Sequence, residues 1–320
     1  MRETCGYRCI AICSGSNIHF VIWLGNGPGL ESPPVIIGIT ACYLAAGLFA
    51  FLAWKLTDNL AWVVEFFQAP AALLMIWLAL LQFSLSLNAT RNFSPDDLLR
   101  PAWMLITSSA GCQLAGTVLI QLLGTDSRLN PIAHQAVWRE TLIPLLRHVG
   151  HTLGETLRFA LLSAGLYYPL KAYRRAGFIS RFTRMDWAVL ILMAAYLVRN
   201  VWDVEFAIAH GKHPDAWEML SWPTDPLLGL LLAQGLLLLR SAQKMGSGMI
   251  GRCWKAFAAG LFLTALADVG QWAWSYGYLP APCDSLIWYL WLPAAGAFAC
   301  APAFQLEVIR HAESSANAQC

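Results

Sequence analysis

Ionisable side chains stand inside otherwise apolar stretches, among them Glu65, Arg158, Arg199, Asp203 and Asp268. Charge in such a setting is costly and by default marks a functional site. At helical spacing these residues fall into polar stripes. Asp58, Glu65 and Gln68 form one, and Ser109, Gln113, Thr117 and Gln121 a second. His148, His151, Glu155 and Arg158 share a face if one helix continues through them, and Tyr196, Arg199, Asp203 and His210 form a fourth stripe. Thr264, Asp268, Gln271 and Ser275 form the fifth. Trp62, Trp202, Trp272, Trp274, Tyr276 and Trp288 lie close by in register. Aromatic walls with more carboxylates (Glu65, Glu155, Asp203, Asp268) than arginines (Arg158, Arg199) suit a cationic or amine-bearing ligand through cation–π contact. They equally suit a proton held on an acid of raised pKa. The plainer alternative is a buried pair, Arg199 with Asp268 or Asp203, that only fixes helix register.

A second constellation is histidine-rich. His148, His151 and Glu155 fall at i, i+3 and i+7, with His210, His213 and Asp215 in a neighbouring loop. Imidazole and carboxylate at that spacing can hold Zn²⁺, although the H-E-x-x-H pattern of zinc peptidases is absent. Gly246-Ser247-Gly248-Met249-Ile250-Gly251 matches G-x-G-x-x-G, but it joins two apolar helices with no preceding strand, so no nucleotide is expected. Neither retinal nor haem is expected. Lys55, Lys171 and Lys255 sit at helix ends, and all seven histidines lie outside the apolar stretches or at their edges. The nine cysteines follow no disulfide or metal framework.

The elements that must position these residues are read from composition. Of 320 residues 58% are hydrophobic and 12% charged, and mean hydropathy is +0.52. A soluble domain carries about 25% charged residues, and disorder requires low hydrophobicity. Both classes are therefore excluded. Eight stretches approach the ~20 apolar residues a spanning helix needs: 34–55, 60–86, 102–124, 155–173, 186–210, 225–240, 254–278 and 286–307. The expected fold is all-α, a polytopic integral membrane protein with an eight-helix bundle. Residues 1–33 read as a cytoplasmic leader, 34–308 as the bundle, and 309–320 as a cytoplasmic tail. A surface helix is expected from Trp138 to Gly150, leading into the fourth span.

Orientation follows from Lys and Arg in the short loops. With the N-terminus inside, fourteen fall on inner segments and five on outer ones, which makes both ends cytoplasmic, as in a bacterial inner membrane. The basic loop 174–185 then faces the cytoplasm. The net charge of +2 shows no nucleic-acid surface. Arg199 and Asp268 lie roughly 15 Å in from their outer ends at 1.5 Å per residue, so the polar stripes converge in the outer half.

These observations predict a small ligand or ion bound in an outer-half polar and aromatic vestibule formed by Glu65, Arg158, Arg199, Trp202, Asp203, Asp268, Gln271 and Trp272. A sensor or an accessory membrane subunit fits. In layout the chain resembles the multi-spanning input modules of bacterial sensor proteins, which implies a cytoplasmic partner docking at loop 174–185. A secondary transporter is the alternative, with Pro70 and Pro293-Ala294-Ala295-Gly296 as candidate helix breaks. A metal-dependent membrane hydrolase built on His148, His151 and Glu155 is a third reading.

Overall fold

The computed structural model describes residues 31–58, 69–97, 99–120, 143–179, 181–211, 216–244, 248–275, 277–278 and 283–317, and every regular element among them is helical. The chain forms α1 (Pro33–Thr57), α2 (Ala69–Asn92) and α3 (Arg100–Val118). A continuous run follows: α4 (Ile143–His151), a π-helical segment (Thr152–Leu157) and α5 (Arg158–Arg175). Next come α6 (Arg184–Ala209), the short α7 (Ala216–Ser221), α8 (Thr224–Lys244), α9 (Met249–Ser275) and α10 (Cys283–Asn317). Each of the eight expected spans has a long helical counterpart.

Among the described residues five segments are long and apolar enough to cross a membrane: Pro33–Thr57, Pro70–Asn92, Met219–Lys244, Ile250–Trp274 and Tyr289–His311. The other three long stretches carry the polar load, which dilutes their apolarity. Ser109, Gln113 and Thr117 sit on α3, Arg158 and Lys171 on α5, and Arg184, Asp186 and Arg199 on α6.

Local chemistry sets several boundaries. Prolines at the first helical positions open α1, where a missing N–H costs nothing. Asp58 closes it in the left-handed region at φ 50°, a conformation Asp tolerates better than most residues. Asp58 therefore caps α1; Glu65 and Gln68, with which it was expected to form a stripe, lie outside the described residues. Where a tail was expected after 308, α10 continues to Asn317. Pro293 and Pro302 lie inside that helix without ending it.

Six helical stretches close a ring by packing neighbour on neighbour: α2 on α3, α3 on α5, α5 on α8, α8 on α9, α9 on α10, and α10 back on α2. Outside the ring, α1 packs on α10 and α6 on α8. Toward the end of the ring that carries residues 174–185, the interior is filled by aromatic rings. Phe257 lies 6.4 Å from Trp103, 5.7 Å from Trp254 and 6.3 Å from Phe298, centroid to centroid. Trp254 Nε1 donates to Tyr173 Oη at 2.8 Å, so even the polar edge of this stack is satisfied. Gln234, the one polar side chain in the middle of the leucine-rich α8, donates to the Ser163 carbonyl at 3.3 Å.

The same end is tied by a latch. Thr183 and Asp186 form a capping box at the start of α6: Thr183 N–H donates to Asp186 Oδ2 at 2.7 Å, and Asp186 N–H donates to Thr183 Oγ1 at 3.2 Å. Arg240 on α8 then grips the Asp186 carboxylate with both prongs, Nε at 2.9 Å and Nη2 at 2.8 Å.

Candidate functional site

At the opposite end of the ring the inward stripes change from apolar to polar. On α9, Trp254, Phe257 and Leu261 give way to Thr264, Asp268 and Trp272 along one face. On α3, Trp103 and Ile106 give way to Gln113 and Thr117 in the same way. There the ring encloses a cavity of about 560 Å³, within the range typical of small-molecule sites. Every ring helix contributes to its lining. Met75 comes from α2, Gln113 and Thr117 from α3, Arg158 from α5, and Thr224 and Asp225 from α8. Thr264, Asp268, Gln271 and Trp272 come from α9, and Ile287, Trp291 and Ala295 from α10.

A close backbone approach positions one wall. A Cβ on Gly116 would lie 2.5 Å from Gly154 Cα and 2.6 Å from the Gly150 carbonyl oxygen. The π segment can therefore lie directly against α3 only because Gly116 lacks a side chain. Ser109 Oγ adds a hydrogen bond of 2.9 Å to the Arg158 carbonyl, tying α3 to the first turn of α5. Thr156 Oγ1 and Thr224 Oγ1 meet at 2.6 Å, tying the π segment to α8. π segments insert a residue into a helix and are frequent at functional sites. Here the segment presents Glu155 and delivers Arg158 to the ring interior.

Arg158 is the centre of the site. Its side chain is 6% exposed, and its guanidinium carbon lies 4.8 Å from the Phe298 ring centroid and 5.2 Å from that of Phe159. Phe298 is thus both the top of the aromatic stack and the floor beneath the guanidinium. Arg158 Nε is buried without a hydrogen-bond partner. Glu155 and Asp268 are the carboxylates whose fields act on it, yet among the described residues no ion pair joins either to Arg158. Gln113 is 4% exposed, and its Oε1 also lacks a partner. Burying such groups unsatisfied costs free energy, so their unmet demand converges on one space.

The wall and mouth are ordered by other contacts. Tyr196 meets Trp272 edge to face, with centroids 6.0 Å apart at 87°. Exposed His151 hydrogen-bonds through Nδ1 to Glu155 Oε1 at 3.1 Å. That hydrogen bond raises the His151 pKa above its ordinary 6.5, against the opposing effects of burial and of Arg147.

Of the residues expected from the sequence, the cavity brings together Arg158, Asp268, Gln271 and Trp272, with His151 and Glu155 at its edge. Arg199 and Trp202 do not line it. Both are exposed, Trp202 at 62%, because α6 packs outside the ring and Tyr196 is its contribution to the lining. Arg158, and not Arg199, is the arginine that shares the cavity with Asp268; the other expected partner of Arg199, Asp203, has its side chain outside the described residues. Glu65 lies outside them as well. The metal trio is not assembled: among the described residues no three His, Cys, Asp or Glu side chains come together as metal ligands. His148 and His151 precede the π segment, and of the three only His151 and Glu155 meet, through the Nδ1 hydrogen bond.

Thr224, Asp225 and Trp291 are among the lining residues that were not expected. Thr224-Asp225-Pro226 reads as an ordinary helix start, and Trp291 is one apolar residue among many. Comparison with models of protein families, with curated proteins and with solved structures finds no match for this chain.

Proposed function

We propose that this chain is an integral membrane protein that binds a small ligand in the ring cavity and serves as a sensor or as an accessory subunit of a membrane complex. The observation that carries this reading is the Arg158 guanidinium, 6% exposed, lining a cavity it shares with Asp268 with no ion pair between the two among the described residues. A purely structural arginine at such burial would be expected to have its carboxylate in contact.

Membrane residence is supported by the apolar side chains on the outward faces of the peripheral helices. Leu48, Phe49, Leu52 and Leu56 on α1 are 55–77% exposed, and Ile191, Leu192 and Val198 on α6 are 63–71% exposed. The Lys/Arg asymmetry places both termini in the cytoplasm and the cavity mouth outside, as in a bacterial inner membrane. The turn between α5 and α6 then offers exposed Arg174, Arg175 and Arg184 with Phe178 and Trp187 to a cytoplasmic partner. Binding is favoured over transport because the ring beyond Arg158 is filled by the Phe298–Phe257–Trp254 stack, and because α10 runs unbroken through Pro293. Alternating access ordinarily uses interrupted helices in paired places.

The test is native mass spectrometry of the full chain extracted from the membranes that produce it. A co-purifying small molecule is expected on the wild type and is expected to be missing from Arg158→Gln, with both proteins equally recovered from the membrane fraction. A wild type that carries no such molecule overturns the reading.

A further inference from the structure

We infer that the occupant of the cavity is a zwitterion, a free α-amino acid with a large apolar side chain. This assignment rests on the cavity being a binding site at all, and it follows from how the charges are placed. Arg158 and Asp268, an arginine and an acid of opposite sign when both are ionised, line the same cavity. They come from α5 and α9, which stand on opposite sides of α8 in the ring. No ion pair joins them among the described residues, so the space between them holds two unmet demands of opposite sign.

A simple cation would satisfy Asp268 but leave the buried guanidinium unpaired and repelled. A simple anion would satisfy Arg158 but face the carboxylates of Asp268 and Asp225. A molecule carrying a carboxylate and an ammonium a few ångströms apart meets both. The planar guanidinium suits the carboxylate end. Gln113, across the cavity on α3, adds a buried carbonyl oxygen without a donor.

What remains of the lining is apolar or aromatic: Met75, Ile287, Trp272 and Trp291. Those groups select a hydrophobic side chain, and about 560 Å³ admits one as large as an indole. Glu155 is engaged with His151 at the mouth and is not needed by the ligand.

The experiment uses the full chain in detergent and follows its thermal unfolding with millimolar L-leucine, L-phenylalanine and L-tryptophan. Each is compared with the amine that lacks its carboxylate and the acid that lacks its amine. For phenylalanine these are 2-phenylethylamine and 3-phenylpropionate. At least one amino acid is expected to raise the Tm by several degrees while neither of its singly charged counterparts does. Arg158→Gln and Asp268→Asn are each expected to weaken that amino acid at least tenfold. Because unfolding of either variant would mask this readout, Trp291→Leu serves as a second probe, expected to weaken tryptophan more than leucine.

An amine that shifts the Tm as far as its parent amino acid overturns the zwitterion and leaves a cation site. A null result with all three amino acids also overturns it. The native mass spectrum separates that failure from the larger one. A small molecule still lost on Arg158→Gln keeps the cavity as a binding site, whereas an empty wild type removes both conclusions.

Discussion

At the scale of single residues, two charge contacts do opposite work. Asp186 is 2% exposed, and Arg240 holds it bidentately while the Thr183 cap shares its oxygens. Arg240→Gln is expected to destabilise the protein by about 3 kcal/mol, the usual cost of leaving a buried charge without its partner. A double-mutant cycle with Asp186→Asn, read by denaturation in detergent, measures the coupling; additive losses would show that the pair contributes nothing of its own. At the mouth the sign is set by pH. Because the hydrogen bond to Glu155 raises the folded-state pKa of His151 above 6.5, the pair's contribution is fully present below pH 6.5 and fades as pH rises through the raised value. His151→Asn should therefore lower the Tm at acid pH and converge with the wild type at alkaline pH. Parallel curves for the two proteins would contradict this. Arg158 and Asp268 were both legible as polar intruders in apolar sequence. Which of Arg158 and Arg199 faces inward was not, because periodicity assigns a face to a helix but not a place for that helix in or outside a ring.

At the scale of elements, the site depends on how near α3 and the π segment can approach. Gly116→Ala places a Cβ against the backbone of Gly154 and Gly150, which cannot move as a side chain could. The loss is expected to be about 1–3 kcal/mol, typical of overpacking, together with weaker ligand binding. Gly38→Ala on α1, where a Cβ meets nothing within 4 Å, is the matched control and should be neutral or stabilising. Equal Tm values for the two variants would show that the close approach is not needed. The helices themselves were readable from hydropathy, and the polar stripe of α9 from its 3.6-residue period. The π segment was not, since nothing in Thr152-Leu153-Gly154-Glu155-Thr156-Leu157 departs from ordinary helical composition. Glycine spacing acquires meaning only once the opposing surface is known.

At the scale of the whole molecule, one end is closed and one end is receptive. The closed end has the aromatic stack, the Thr183–Asp186–Arg240 latch and the exposed arginines of the α5–α6 turn. The receptive end has the cavity and its exposed His151 and Gln271. If the closed end faces the cytoplasm, a reporter fused after Asn317 should be active there, and a single cysteine at His151 should react with an impermeant thiol reagent added to intact cells. Labelling only after the cells are opened would invert the orientation. The all-helical class and the burial of Arg158 followed from composition and spacing, whereas the exposure of Arg199 did not. The ring order did not, because which of eight apolar helices lie side by side is decided by shape.

The π segment carries one residue more than an α-helix needs over the same length, and Arg158 comes directly after it. Deleting a single residue between Thr152 and Leu157 is therefore expected to let the helix run on regularly, where the same deletion elsewhere in the ring would throw a stripe off its face. What such a shortened chain gives up is the bulge itself: Gly154 and Glu155 would no longer meet Gly116 and His151 as they do, so the wall beside the cavity, and not the bundle, would record the loss.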